Sequence, residues 1–151
     1  YGGVYRDVEL IVVEPVHFGL DDHGSNGIYL TQTRVTDQEA RIDASVRVNG
    51  VRNATYAITA EVKDPESDSV LVTPTARVKV DKGVGTVEFP ITLENLRLWH
   101  GIFDPYRYHF SFQLKEVTHI HATLTIALGV RYYEIHPVNG FMLNGRVYPP
   151  R

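Results

Sequence analysis

The segment RIDASVRV, residues 41–48, decides the fold of this chain. Every second side chain in it is apolar, so one face of an extended strand can enter a core while the other face meets water. The segment TYAITAEV, residues 55–62, repeats the alternation after a turn signal at Asn49 and Gly50. The two segments therefore predict neighbouring β-strands, each with one buried face.

The same period of two runs through most of the chain. It recurs at residues 76–80, 87–93, 108–114 and 120–128, and residues 8–13 form a more continuously apolar segment that also fits a strand. Turn signals separate these segments, and no twelve-residue stretch has a helical apolar period. We therefore predict an all-β fold, an antiparallel immunoglobulin-like (fibronectin III-like) β-sandwich of seven to nine strands. A closed barrel is the alternative, because periodicity alone does not separate the two.

Length and composition exclude several classes of protein. With 151 residues, 43% hydrophobic and 22% charged, the chain fits one globular domain. It has no apolar run near the roughly 20 residues of a membrane span, and a net charge of -3 without a Lys/Arg cluster argues against nucleic-acid binding. The absence of cysteine excludes disulfides, thiolate metal sites and a cysteine nucleophile.

Two groups of side chains deserve comparison with metal sites. His119 and His121 are two apart on a predicted strand and share a face, but no third ligand has an obvious place beside them, so we interpret them as part of a solvated sheet face. A glycine-rich loop carries oxygen and nitrogen donors at Asp21, Asp22, His23 and Asn26, in a spacing that matches ordinary turn chemistry better than a calcium loop. We therefore predict no metal site and no cofactor.

Trp99 is the single tryptophan, and it follows an apolar strand. We expect its ring to be buried between two sheets; a platform for stacking on a sugar ring is the alternative. No pair of acids is marked for acid and base catalysis, and no serine has the surroundings of a nucleophile elbow. The residues themselves thus point to no catalytic site.

Three segments together resemble a known family. They are GGVYRDVEL at residues 2–10, LRLWHGIFDPYRYHF at residues 96–110, and LGVRYYEIHPVNGFMLNGRVYPPR at residues 128–151. In order and spacing they resemble glycoside hydrolase family 2, the β-galactosidases, β-glucuronidases and β-mannosidases. The motif positions, to which the resemblance gives a structural role, are Gly3, Arg6, Asp7, Trp99, Pro105, Tyr108, Gly129, Arg131, Gly140, Phe141, Asn144 and Gly145. Arg107 and Leu128 depart from the family pattern, and we expect a strand edge or a core pocket to accommodate them.

The resemblance implies a domain order. Residues 1–8 would end an N-terminal sugar-binding jelly roll, residues 9–137 would form the immunoglobulin-like sandwich, and residues 138–151 would begin a TIM barrel. Family members are retaining glycosidases whose two catalytic glutamates lie in the barrel. The resemblance therefore implies a scaffolding domain of a β-galactosidase-like hydrolase, inactive alone, with no catalytic residue in this chain.

The implied partners are the jelly roll and barrel of the same polypeptide and the carbohydrate substrate of the parent enzyme, with no nucleic acid and no membrane span. The source is expected to be bacterial, with exported, periplasmic and cytoplasmic locations all open. Two other functions remain as alternatives: a free-standing carbohydrate-binding module that uses Trp99, and an adhesive domain from a repeat array.

The last segment, GFMLNGRVYPPR at residues 140–151, carries its own expectation. Asn144 and Gly145 predict the turn of a two-residue hairpin. In the family this hairpin leads into the barrel, so the abrupt stop is expected to be a cut within a longer polypeptide. From about Asn139 onward we expect a segment that is mobile or held only by non-specific contacts.

Overall fold

The computed structural model describes residues 10–148, which form twelve β-strands and, within that range, no helix. No element in this part of the chain has the helical length and hydrophobicity of a membrane span. The motif positions Gly3, Arg6 and Asp7, and the expected jelly-roll end at residues 1–8, lie outside the described residues.

The first sheet is built around β3 (Glu39–Asn49), the strand that contains the alternating segment at residues 41–48. β7 (Val84–Glu94) pairs antiparallel with it along its whole length. β2 (Ile28–Val35) pairs on the other side, and β1 (His17–Phe18) continues that edge beside the last residues of β3.

The second sheet is built around β4 (Ala54–Lys63) and β8 (Tyr108–Glu116), which pair antiparallel. β9 (His119–Leu128) follows β8 by a hairpin and forms one edge. On the other side of β4 lie β5 (Val70–Val72) and β6 (Thr75–Val80), paired with successive parts of that strand.

A small third sheet follows the sandwich. β10 (Tyr133–His136), β11 (Gly140–Leu143) and β12 (Arg146–Val147) pair in chain order, all antiparallel. The residues between β11 and β12 are Asn144 and Gly145, and both have a positive φ, +50° and +73°. This is the geometry of a two-residue type I′ hairpin, so the turn predicted from the sequence is confirmed.

The core lies between the two large sheets and is made by the inward sides of their strands. The inward side chains of β3, β4 and β8 are almost all fully buried, as the alternation predicts. Burying each large apolar side chain contributes roughly 1.5–3 kcal/mol. The largest fully buried residues include Tyr56, Phe110, Phe112, Ile42, Ile58 and Leu114. Nine strands in two separate antiparallel sheets confirm the immunoglobulin-like sandwich, and the closed-barrel alternative is wrong.

Two local expectations are wrong. Residues 10–13 form no strand, and all four apolar side chains there are exposed. On β9, Ile120 pairs with Lys115 while Ala122 pairs with Leu114, so His121 is an extra, bulged residue. A bulge moves the side chains beyond it to the opposite face. Ile120 is consequently 45% exposed, and the expected solvated histidine face fails at His121, whose side chain is only 13% exposed.

Candidate functional site at the Trp99 corner

Trp99 lies at one end of the sandwich, in the segment that follows β7. It is half-buried and does not belong to the core cluster, so the expected burial between the two sheets is wrong. Its backbone N–H donates to the carbonyl of Val130 at 2.8 Å. A Cβ on Gly129 would lie 2.7 Å from Cγ of the Trp99 ring, a contact too close for any larger residue. The ring therefore packs directly on glycine backbone.

Arg131 contacts both residues of this pair. Its guanidinium carbon is 4.9 Å from the centre of the Trp99 ring, which is a cation–π distance. The guanidinium also donates to the carbonyl of Gly129 at 3.1 Å, and the backbone N–H of Arg131 donates to Oε1 of Gln32 at 2.9 Å. These bonds hold the segment between β9 and β10 against β2.

Asn144 joins the hairpin of β11 and β12 to this corner. Its Nδ2 donates to the carbonyl of Trp99 at 3.0 Å and lies 3.3 Å from Nδ1 of His100. Its Oδ1 accepts from the backbone N–H of Tyr132 at 3.0 Å, and its own N–H donates to the Tyr132 carbonyl at 2.9 Å. Only 6% of Asn144 is exposed. We call Trp99, Gly129, Arg131 and Asn144 the Trp99 corner.

These bonds contradict the expectation that the C-terminal segment is held only by non-specific contacts. Up to Tyr148 the segment has specific partners inside the domain, and Leu143 beside the turn is only 4% exposed. The expectation of mobility from Asn139 onward stays a prediction, and residues 149–151 lie outside the described part of the chain.

An aromatic groove of about 300 Å³ opens beside the Trp99 corner. Phe141 is 44% exposed and stacks on Tyr133 with a ring-centre distance of 5.9 Å. The groove is lined by Trp99, Arg131, Tyr133, Phe141, Leu143 and Tyr148. Gly140, the remaining motif glycine of this segment, starts β11 with φ +71°, a conformation that favours glycine. A concave, mainly apolar surface of this kind suits a packed protein segment or a sugar ring.

The other two motif positions, Pro105 and Tyr108, lie where the loop between β7 and β8 ends. Tyr108 begins β8, is 3% exposed, and its hydroxyl accepts from the backbone N–H of Arg97 at 2.7 Å. This bond to an upstream backbone group resembles the tyrosine corner of immunoglobulin domains. Pro105 is exposed, as is Arg107, so the departure from the family pattern at Arg107 costs no burial.

Tyr106 forms a second fixed point of this loop. It packs edge to face on Tyr108 at a ring-centre distance of 5.1 Å, and its hydroxyl donates to the carboxylate of Asp64. That bond and the backbone N–H groups of Ser67 and Glu66 lower the pKa of Asp64 to about 2, whereas burial raises the pKa of Tyr106. The segment between β7 and β8 is therefore tied to the turn after β4.

Two carboxylates, which the sequence did not mark as a pair, share a shallow cavity of about 300 Å³ near this loop. Glu66 and Asp104 both bind the guanidinium of Arg97, at 2.8 and 2.9 Å. The pKa of Arg97 is raised, chiefly by its hydrogen bond to Asp104. With a cation already between them, we assign these acids to surface ion pairing and not to acid and base catalysis.

The acidic loop of the sequence analysis has the same kind of internal partners. Arg47 donates to Asp21 at 2.8 Å and lowers the pKa of that carboxyl to about 2. The hydroxyl of Tyr29 donates to Asp22, and Oδ1 of Asn26 accepts from the backbone N–H of Ile28 at 3.1 Å. The interpretation as turn chemistry agrees with these bonds.

The histidine pair has a third neighbour that the sequence analysis missed. Oε2 of Glu14 lies 3.1 Å from Nε2 of His119 and 3.1 Å from Nδ1 of His121. Glu14 is 105 residues from His119 in the chain, so no local spacing could have indicated the group.

Comparisons with known proteins agree with the observed fold. The model of the glycosyl hydrolases family 2 matches residues 26–131. A β-glucuronidase of Bacteroides fragilis is 33% identical over 150 residues, which cover 99% of this chain and 21% of that protein. A β-glucuronidase of Formosa agariphila is 25% identical, with 96% of this chain and 15% of that protein covered.

A solved structure shows the same fold. The crystal structure of a candidate β-galactosidase from Bacteroides fragilis superposes with a TM-score of 0.82 at 29% identity, over 90% of this chain and 20% of that chain. This chain thus spans about a fifth of the length of the two Bacteroides fragilis proteins.

Proposed function

The chain belongs to glycosyl hydrolase family 2, and from that premise we propose that it is the middle, scaffolding immunoglobulin-like domain of a retaining glycoside hydrolase. The parent enzyme would hydrolyse O-glycosidic bonds of β-galactosides or β-glucuronides, the specificities for which the similar proteins are named. In this proposal residues 9–137 are the sandwich, residues 1–8 end a jelly roll, and residues 138–151 enter a barrel. Their role is to hold neighbouring domains, not to catalyse.

The observation that carries the proposal is the Trp99 corner. Asn144 fixes the last hairpin to the end of the sandwich by bonds to Trp99 and Tyr132. Movement at this connection would displace the domain that follows it. A buried turn whose polar groups are hydrogen-bonded therefore suits a rigid connection. The exposed aromatic side chains next to it, Phe103, Tyr133 and Phe141, supply apolar area for a neighbouring domain.

An activity assay tests the division of labour. The 151-residue chain and the longer polypeptide of which we propose it is part should be compared on chromogenic β-galactosides, β-glucuronides and β-mannosides. Retaining hydrolysis needs two carboxyl groups about 5–5.5 Å apart, and in the family both belong to the barrel. We therefore expect turnover from the longer polypeptide and none from the chain. Turnover by the purified chain would contradict the proposal.

The aromatic groove supports a second candidate, direct carbohydrate binding. Trp99, Tyr133 and Phe141 are among the side chains that line it, and aromatic rings can stack on a pyranose ring. Trp99 is the only tryptophan, so its fluorescence reports this site alone. A saturable emission change on titration with galactose, glucuronic acid or mannose oligosaccharides, lost in Tyr133→Ala, would favour binding. An unchanged spectrum would leave the scaffold as the better account.

A further inference from the structure

Glu14, His119 and His121 meet where the segment before β1 lies beside the start of β9, next to the β8–β9 hairpin. The backbone carbonyl of Glu14 is 2.8 Å from Nδ1 of His17, which closes a turn just before β1. The bulge on β9 turns His121 inward, where its ring lies edge to face with Tyr56 at 5.6 Å. His119 and His121 are then only 4.5 Å apart between ring centres.

We propose that these three side chains form a Zn²⁺ site. One carboxylate oxygen and two imidazole nitrogens all lie within 4.8 Å of one another. Ligand atoms bound at about 2.0–2.1 Å in tetrahedral geometry are about 3.3 Å apart, close to the two 3.1 Å separations from Glu14. Rotation of His119, whose side chain is 60% exposed, can close the remaining distance between the two nitrogens.

The surroundings of His121 favour a metal over a plain hydrogen bond. If Nδ1–H donates to Glu14, a neutral ring leaves Nε2 as an acceptor, and this buried Nε2 has no hydrogen-bond partner. The nearest charged group is Oε2 of Glu116 at 3.8 Å, which is itself an acceptor. With Nδ1 bound to Zn²⁺, the proton moves to Nε2 and points to Glu116. That is the carboxylate–histidine–zinc arrangement common in zinc sites.

Glu116 is held for this role by Arg52. One guanidinium nitrogen lies 2.6 and 2.5 Å from its two carboxylate oxygens. The pairing keeps the carboxylate in place beside His121 without using it as a ligand. Two imidazoles and one carboxylate are a donor set for Zn²⁺ rather than for Ca²⁺ or Mg²⁺, which prefer oxygen ligands.

A metal here would fix the segment before β1 to the edge strand β9, because one ligand comes from that segment and two come from β9. The side chains of His119 and Glu14 are 60% and 46% exposed, so solvent can supply a fourth ligand. The site would have a structural role, independent of the Trp99 corner at which the proposed scaffold function rests.

Zinc titration of the chelator-treated chain, followed by calorimetry, tests the site. We expect one Zn²⁺ per chain, and binding at least about 10-fold weaker in Glu116→Gln and weaker still in Glu14→Gln, His119→Ala and His121→Ala. His109→Ala is the matched control, since His109 is an exposed histidine of β8 away from the group, and should bind as the parent does. Equal affinity in His121→Ala and the parent, or a dissociation constant weaker than about 1 mM, would overturn the site.

A second measurement covers variants that fail to fold. In ¹⁵N-labelled unsubstituted chain, saturating Zn²⁺ should shift the ring resonances of Nε2 in His119 and of Nδ1 in His121, and leave the ring of His109 unchanged. The midpoint temperature of thermal unfolding should rise by several degrees when the Zn²⁺ concentration is about 100 times the dissociation constant, because Zn²⁺ binds only the folded state. Unchanged ring nitrogens of His119 and His121 at saturation would contradict the proposal without any substitution.

Discussion

The contact between Trp99 and Gly129 leaves no room for a side chain. The Cβ of an alanine at residue 129 would lie 2.7 Å from Cγ of the tryptophan ring and 2.8 Å from Cδ1. The guanidinium carbon of Arg131 also lies 4.9 Å from the centre of this ring, so a shift of the ring would disturb that contact. A single methyl group thus tests whether the Trp99 corner is as tightly packed as the distances indicate.

We predict that Gly129→Ala lowers the free energy of unfolding by about 1–3 kcal/mol, the usual range for overpacking. Urea unfolding followed by Trp99 fluorescence measures it. Gly50→Ala is the matched control, because a Cβ there would first meet Val80 at 3.4 Å, an ordinary contact. Equal stability of the two variants would show that Trp99 has space to adjust.

The Tyr106 hydroxyl and the Asp64 carboxylate give stability a dependence on pH. The folded state holds the pKa of Asp64 at about 2, chiefly through the bond from Tyr106, whereas an aspartate in the unfolded chain has a pKa of about 3.9. A lowered folded-state pKa adds stability that is complete above about pH 5 and is lost as the pH falls towards 2.

We predict that Tyr106→Phe flattens the fall of unfolding free energy between about pH 5 and pH 2. Asp21, whose pKa Arg47 also lowers to about 2, should keep part of the slope. Urea unfolding at a series of pH values measures it, with Tyr133→Phe, an exposed tyrosine, as control. Identical slopes in Tyr106→Phe and the unsubstituted chain would refute the assignment to this pair.

At the scale of elements, the hairpin of β11 and β12 depends on Asn144 in two ways. The residue adopts φ +50°, which asparagine tolerates better than alanine, and its side chain bonds to Trp99 and Tyr132. Loss of the side chain leaves the Tyr132 N–H and the Trp99 carbonyl without these partners. A buried polar group left unpaired costs about 1–3 kcal/mol.

We predict that Asn144→Ala destabilises the chain by about 1–3 kcal/mol more than Asn95→Ala. Asn95 is the matched control because it has φ +51° and is exposed, so its substitution measures the backbone penalty alone. Asn144→Gly should fall between the two, since glycine keeps the φ but loses the side-chain bonds. Equal losses in Asn144→Ala and Asn95→Ala would leave the side-chain bonds without a stabilising role.

Local patterns predicted the central strands and not the edges. β3, β4 and β8 have neighbours on both sides and one buried face, so the alternation of apolar residues determines which side chains enter the core. β9 is an edge strand with a bulge, and no sequence rule placed the extra residue at His121. The alternation therefore assigned Ile120 to the wrong face.

The candidate sites were predicted less well for a related reason. The Asn144–Gly145 turn is a local signal, and it was predicted. The bonds from Asn144 to Trp99, and from Glu14 to His119, join residues 45 and 105 apart, so only the tertiary fold brings them together. The half-exposure of Trp99 likewise follows from its place at the end of the sandwich, which periodicity does not show.

At the scale of the whole molecule, exposed apolar side chains are spread over several elements, and two groups of them bear on the proposed scaffold. Residues 10–13 are exposed before β1, and Phe103, Tyr133 and Phe141 surround the aromatic groove. Exposed apolar area of this kind commonly marks contact with another protein surface. In the proposed scaffold, these are the two places at which the neighbouring domains would cover the sandwich.

Hydrogen–deuterium exchange tests this central claim most directly, by comparing the chain alone with the longer polypeptide proposed above. We predict that amides around Phe103 and in residues 133–148 exchange more slowly in the longer polypeptide, while those of β3 and β8 exchange equally slowly in both. Added protection at the Trp99 corner and the aromatic groove, with none in β3 and β8, would support a docking scaffold. Identical exchange of residues 133–148 in the two proteins would contradict it.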